Sequence, residues 1–149
     1  MKLGLGTVQF GQAYGVSNTS GQVSRAQVGA ILDRAAGAGM RVLDTAANYG
    51  EAEAVLASFD LSRFRVISKT TGLSNGLDVV LARVRQSAAT LGPFDTLLVH
   101  FTRDLLGEDG ARFWAQLQAL RDEGLYRRIG IVVYPCCGAS TARTIRPRR

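Results

Sequence analysis

The chain has almost no cysteine: two residues in 149, Cys136 and Cys137, adjacent and close to the C-terminus. That spacing suits neither a disulfide framework nor a zinc site, and the reading is of incidental thiols in a reducing compartment. No apolar run approaches the roughly 18 residues that a spanning helix needs, so no transmembrane segment is expected. The N-terminus, Met1-Lys2-Leu3-Gly4-Leu5-Gly6, lacks the apolar stretch and cleavage site of a secretory signal, and the expected location is the cytoplasm. Lysine is scarce: of 18 basic residues only Lys2 and Lys69 are lysines. Acid is absent after Pro135, where four arginines lie (Arg143, Arg146, Arg148, Arg149); six less these four leaves +2 for the rest of the chain. The basic character therefore belongs to the tail. Because that tail interleaves no aromatics among its arginines, a nucleic-acid partner is not expected.

What is present is an ordinary globular balance, with 46% apolar and 20% charged residues. Strand-like and helix-like segments alternate. Lys2 to Val8 reads as a strand ending in a Gly-rich, polar turn. Ser24-Arg25-Ala26-Gln27 has the spacing of a capping box, and Val28, Ile31, Leu32 and Ala35 then fall on one helical face, closed by Gly37 and Gly39. Arg41 to Asp44 is a second strand, followed by a short helix from about Glu51 to Ser58 and a third strand from Arg65 to Lys69. Leu77, Val80, Leu81, Val84, Ala88 and Leu91 mark a third helix, stopped by Gly92-Pro93. Asp95 to His100 is nearly all apolar, as expected of a strand buried on both faces. Phe113, Leu117 and Leu120 mark a fourth helix before Gly124, and Tyr126 to Tyr134 a fifth strand. Residues after Tyr134 show no period and one large apolar residue, Ile145, and are expected to form an irregular, unstructured tail.

Alternation without a hairpin signal predicts a parallel sheet, as a doubly wound open sheet or a (β/α) barrel. The phosphate fingerprint G-x-G-x-x-G is missing. Gly4-Leu5-Gly6-Thr7 begins like one, but no third glycine is in register and no helix is expected to open there, which weakens the dinucleotide-fold alternative.

In a (β/α) barrel the chemistry sits at the C-terminal ends of the strands. Strand two ends at Asp44, strand three at Lys69 and strand four at His100, the only histidine. Tyr49 lies on the loop just beyond Asp44. Singly, each has a blander reading: a helix cap, a packed ring, a solvated ammonium, a satisfied core polar group. Together, four unlike polar types on one rim point to chemistry. A free tyrosine holds its proton until about pH 10. A lysine ammonium beside it favours the phenolate, and a carboxylate keeps that lysine charged and aimed. Such a general acid contributes roughly 10²–10⁴-fold in rate, with a histidine supplying a second hydrogen bond to the substrate oxygen. Protonating an oxygen on which negative charge builds suits carbonyl reduction by a cofactor-borne hydride.

Leu3-Gly4-Leu5-Gly6-Thr7-Val8-Gln9-Phe10-Gly11, Asp44-Thr45-Ala46-x-x-Tyr49-Gly50-x-x-Glu53, Ile67-Ser68-Lys69-Thr70 and Leu97-Leu98-Val99-His100 resemble the aldo-keto reductase superfamily in order and spacing. The similarity runs from Leu3 to about Tyr134. It implies a (β/α)8 TIM barrel and NADP-dependent reduction of an aldehyde or ketone. By this resemblance Tyr49 is the proton donor, Lys69 and Asp44 tune it, and His100 orients the small carbonyl substrate. Thr7 and Asp44 match positions at the nicotinamide end of NADPH. No metal is implied. Val132 and Val133 stand where the family commonly has serine and often asparagine, which hold the nicotinamide carboxamide. The expectation is of a partial barrel over residues 1–134, with about five strands and four helices, and a tail over 135–149. Most phosphate contacts of the family come from loops after later strands, so a truncated form that binds cofactor poorly or not at all, with no more than trace turnover, is expected. The alternative is an inactive half-barrel that self-associates through the open edges of strands one and five.

Overall fold

The computed structural model describes residues 3–133. Five parallel strands, β1 (Leu5–Gly6), β2 (Val42–Asp44), β3 (Arg65–Lys69), β4 (Phe94–Val99) and β5 (Tyr126–Ile131), form one sheet in the order 1-2-3-4-5. That order decides between the two architectures. Parallel crossovers are right-handed almost without exception, so stepping always to the next neighbour puts every crossover helix on the same face. A doubly wound sheet reverses its order at a switch point; this sheet does not reverse, and it is part of a (β/α) barrel.

The crossovers run through α2 (Arg25–Gly37), α3 (Ala52–Ala57), α4 (Leu77–Leu91) and α5 (Gly110–Asp122), and α1 (Val8–Gly11) follows β1 directly. The capping box of α2 is formed: Gln27 N donates to Ser24 Oγ, and Ser24 N donates to Gln27 Oε1 at 3.1 Å. The core lies between helices and sheet, and Val28, Val80, Phe113 and Leu117 are wholly enclosed in it. Each such side chain contributes about 1.5–3 kcal/mol by leaving water.

Four expectations are corrected. The first strand is only Leu5–Gly6, and a helix does open behind it over Val8–Gly11. Thr7 makes the last rung of the β1–β2 pairing, its N–H and hydroxyl both donating to Asp44 O at 3.0 Å, and the chain leaves the sheet behind it. Buried Phe10 then anchors the turn. One turn of helix is not self-sustaining, so packing and not propensity makes it. With α1, the described residues contain five α-helices rather than about four, and two 3-10 turns, Leu73–Asn75 and Thr102–Leu105. Strand β4 is buried throughout on one face, while on the other only Phe94 is buried. Leu97 and Val99 are enclosed by the helices, whereas Thr96 and Leu98 are half-buried on the other face of the five-stranded sheet. Finally, β5 ends at Ile131, not Tyr134. Tyr134, Cys136, Cys137 and the Arg-rich tail lie outside the described residues, as does Lys2.

Candidate active site

Parallel register sets the rim. Asp44 pairs with Ile67, and Lys69 two residues further pairs with Leu98, so the ends of β2, β3 and β4 stand side by side with His100 just past β4. The loop from Thr45 to Glu51 folds back over them. Ala47 N donates to Lys69 O at 3.0 Å, and Tyr49 N to Ala46 O at 3.0 Å.

Lys69 is buried and its ammonium is the hub. It donates to Asp44 Oδ1 at 2.5 Å, to Thr45 O at 2.8 Å and, weakly, towards the Tyr49 hydroxyl at 3.5 Å. Three donors meet three acceptors, as a buried ammonium requires. The same nitrogen lies 5.0 Å from the centroid of the Tyr49 ring, within cation–π range. Asp44 remains partly open to solvent. The capping role open to Asp44 from sequence is therefore not what its carboxylate does.

Tyr49 and His100 meet edge to face, with ring centroids 6.3 Å apart and planes at 83°. On its other side His100 stacks on Phe101 at 4.8 Å. Its backbone N–H donates to Thr70 Oγ1 at 3.2 Å, while its buried Nδ1 has no partner among the described residues. Burial holds the imidazole below its ordinary pKa of 6.5, helped by the Lys69 charge and opposed by Asp44. At neutral pH His100 is thus a neutral ring, able to donate or accept one hydrogen bond without adding charge.

All four rim residues are brought together. Thr7 lies behind them: it is enclosed, and its hydroxyl is given to the Asp44 carbonyl. Val132 presents an apolar side chain, and its backbone is engaged. Its N–H donates to Val99 O at 3.0 Å and its carbonyl accepts from the Thr102 hydroxyl. No group of acidic, histidine or cysteine side chains placed to hold a metal occurs among the described residues. No described helix is long and apolar enough to cross a membrane.

Sequence reasoning left one cluster without a role. Glu53, almost fully enclosed on α3, accepts from Ser68 Oγ at 2.6 Å, from Ser87 Oγ at 2.9 Å and from Arg83 Nη2 at 2.6 Å. Arg83 Nη1 also donates to Ser87 Oγ at 2.6 Å, and Nη2 reaches Ala47 O at 3.3 Å. A signal was there: Ser87 falls three residues after Val84 and seven after Val80, a polar residue on the buried stripe of α4.

A sequence profile of the aldo/keto reductase family matches residues 2–139. The chain belongs to that family. Solved structures agree. A Pseudomonas aeruginosa protein assigned to the aldo-keto reductases superposes with a TM-score of 0.68 at 26% identity, covering 86% of this chain and 54% of that one. A Bombyx mori aldo-keto reductase in complex with NADP gives 0.62 at 25% identity, covering 87% and 45%. The aldose reductase of Giardia lamblia gives 0.62 at 20% identity, covering 89% and 50%, a likeness of fold. The chain spans about half the length of the solved structures it matches. No curated protein sequence matches it significantly. Family membership supports an oxidoreductase.

Proposed function

We propose that this chain carries the proton-transfer side of an NADP-dependent reductase of aldehydes or ketones. The observation that carries the reading is the position of the Lys69 ammonium, 2.5 Å from Asp44 and 3.5 Å from the Tyr49 hydroxyl on one rim. NADPH, when bound, supplies the hydride to the carbonyl carbon. The chain's own residues handle the oxygen. Tyr49 gives its proton to the oxygen as negative charge builds there, becoming a phenolate that water reprotonates. Lys69, held by Asp44, stabilises that phenolate as it forms and stays ordered throughout, so little reorganisation opposes the step. Neutral His100, edge to face with Tyr49, offers the same oxygen a second hydrogen bond and fixes its position.

The residues fit the reacting end of a nicotinamide cofactor better than its amide. Asp44 is partly open at the rim, and Thr7 supports it from behind through its carbonyl. At Val132 the side chain offers no hydrogen bond to a carboxamide, and the backbone N–H is already given to Val99 O, which favours weak cofactor retention. The NADP complex of the silkworm relative is the nearest support for the choice of cofactor.

The test is reduction of a reactive aldehyde by the whole chain at saturating NADPH, followed through the nicotinamide absorbance. Slow turnover is expected, falling by a further factor on the order of 10²–10⁴ in Tyr49→Phe. Equal rates for parent and variant would remove Tyr49 from the role.

A further inference from the structure

Glu53 and Arg83 make no hydrogen bond to the side chains of Asp44, Lys69, Tyr49 or His100, yet both ends of the reacting couple hang from them. Arg83 Nη2 donates to Ala47 O, and the N–H of that same Ala47 donates to Lys69 O. Ala47 stands two residues before Tyr49. On the strand side, Ser68, the neighbour of Lys69, donates to Glu53 Oε1 at 2.6 Å. Glu53 itself sits four residues beyond Tyr49, so the loop bearing the tyrosine is held at both ends by one ion pair. Side-chain exposures are 4% for Glu53 and 24% for Arg83.

Stability alone gives little reason for charge at this place. A buried pair loses its hydration, and apolar side chains of similar volume commonly serve as well or better. Apolar packing is non-directional, however. It would let the Thr45–Glu51 segment slide by fractions of an ångström, whereas forked, charge-assisted hydrogen bonds fix distance and angle. Proton transfer is sensitive to displacements of that size.

We propose that Glu53 and Arg83 are positioning residues whose largely buried ion pair sets the distance between the Tyr49 hydroxyl and the Lys69 ammonium. The inference builds on the proton-donor role given to Tyr49, but its test does not depend on turnover. The chain has one histidine, so a single set of imidazole resonances reports on the rim. Full-length parent, Glu53→Gln and Arg83→Lys are to be compared by NMR and amide hydrogen exchange. Lysine keeps a cation near Glu53 but has one nitrogen in place of two, so it cannot hold Ser87 Oγ as Nη1 does while reaching Glu53 and Ala47 O as Nη2 does.

In both variants the His100 imidazole signals should move and the Tyr49–His100 cross-peaks weaken. The amides of Ala47, Tyr49 and Ala52 should exchange about tenfold faster while those of α2 keep their protection. The opposite result is faster exchange spread evenly over the chain, with imidazole signals and cross-peaks unmoved. That would reduce the pair to a stabilising contact and overturn the proposal. If Glu53→Gln does not fold, Arg83→Lys decides by the same readings. Unchanged turnover in Tyr49→Phe would sink the proposed function and leave these readings intact.

Discussion

At the scale of the residue, His100 links structure to pH. Its folded pKa lies below the ordinary 6.5, with burial as the main cause. In the interval just under 6.5 the unfolded chain therefore binds a proton that the folded chain refuses. Stability rises with pH wherever the unfolded state binds more protons, so it should climb through that interval and level off above it. No second histidine is present to titrate there. Denaturant midpoints at stepped pH should show this rise, and His100→Asn should remove it. A flat profile in the parent, or an undiminished slope in the variant, would contradict the assignment. The same neutral ring fits the role proposed for it, since an imidazolium beside the Lys69 ammonium would repel it across the rim.

At the scale of the element, the turn that carries Tyr49 is fitted against α1 backbone to backbone. A Cβ on Gly11 would lie 1.8 Å from Tyr49 O and 2.3 Å from Ala52 N, neither of which is a flexible side-chain end. Gly50 adopts φ +54°, and Glu51 N donates to Gly11 O at 3.2 Å across the seam. Gly11→Ala should therefore cost about 1–3 kcal/mol and displace Tyr49 from His100. Gly37 ends α2 with open space around its would-be Cβ. Gly37→Ala should be neutral or stabilising, by up to about 1 kcal/mol. Urea titrations of the two variants give the comparison, and a loss at residue 11 no larger than at residue 37 would refute the seam. The helix that opens after β1 has the same origin. Its four residues were unreadable as a helix because what holds them, the burial of Phe10 and the fit of Gly11 against Tyr49 and Ala52, comes from about 40 positions further along the chain.

At the scale of the whole molecule, the sheet of the described residues has β1 and β5 at its edges, and a face on which Ile67, Thr96 and Leu98 are only half-buried. Ile131 and Val133 at the end of β5 are exposed. Strand edges with apolar neighbours promote pairing with a further strand, and we propose that a second copy of this 149-residue chain supplies it. Light scattering of the 149-residue chain should report a mass above the 16.0 kDa of one copy and fall towards it on dilution. A concentration-independent monomer with a cooperative melt would count against it.

The sequence determined what is local or periodic. The capping box at Ser24, the stripe on α4 and the stop at Gly92 each depend on neighbours within a few positions, and all are in the structure. It also marked Asp44, Tyr49, Lys69 and His100, because alternating strands and helices deliver successive strand ends to one rim. Tertiary structure decided what depends on groups far apart in the chain. Strand order chose barrel over open sheet, and Lys69 found Asp44 across 25 positions. Glu53 met Arg83 across 30 and Ser87 across 34. A carboxylate read along the chain carries no sign of its burial. Only packing α3 against α4 and β3 removes its water, and the partners it then requires are whatever those elements bring.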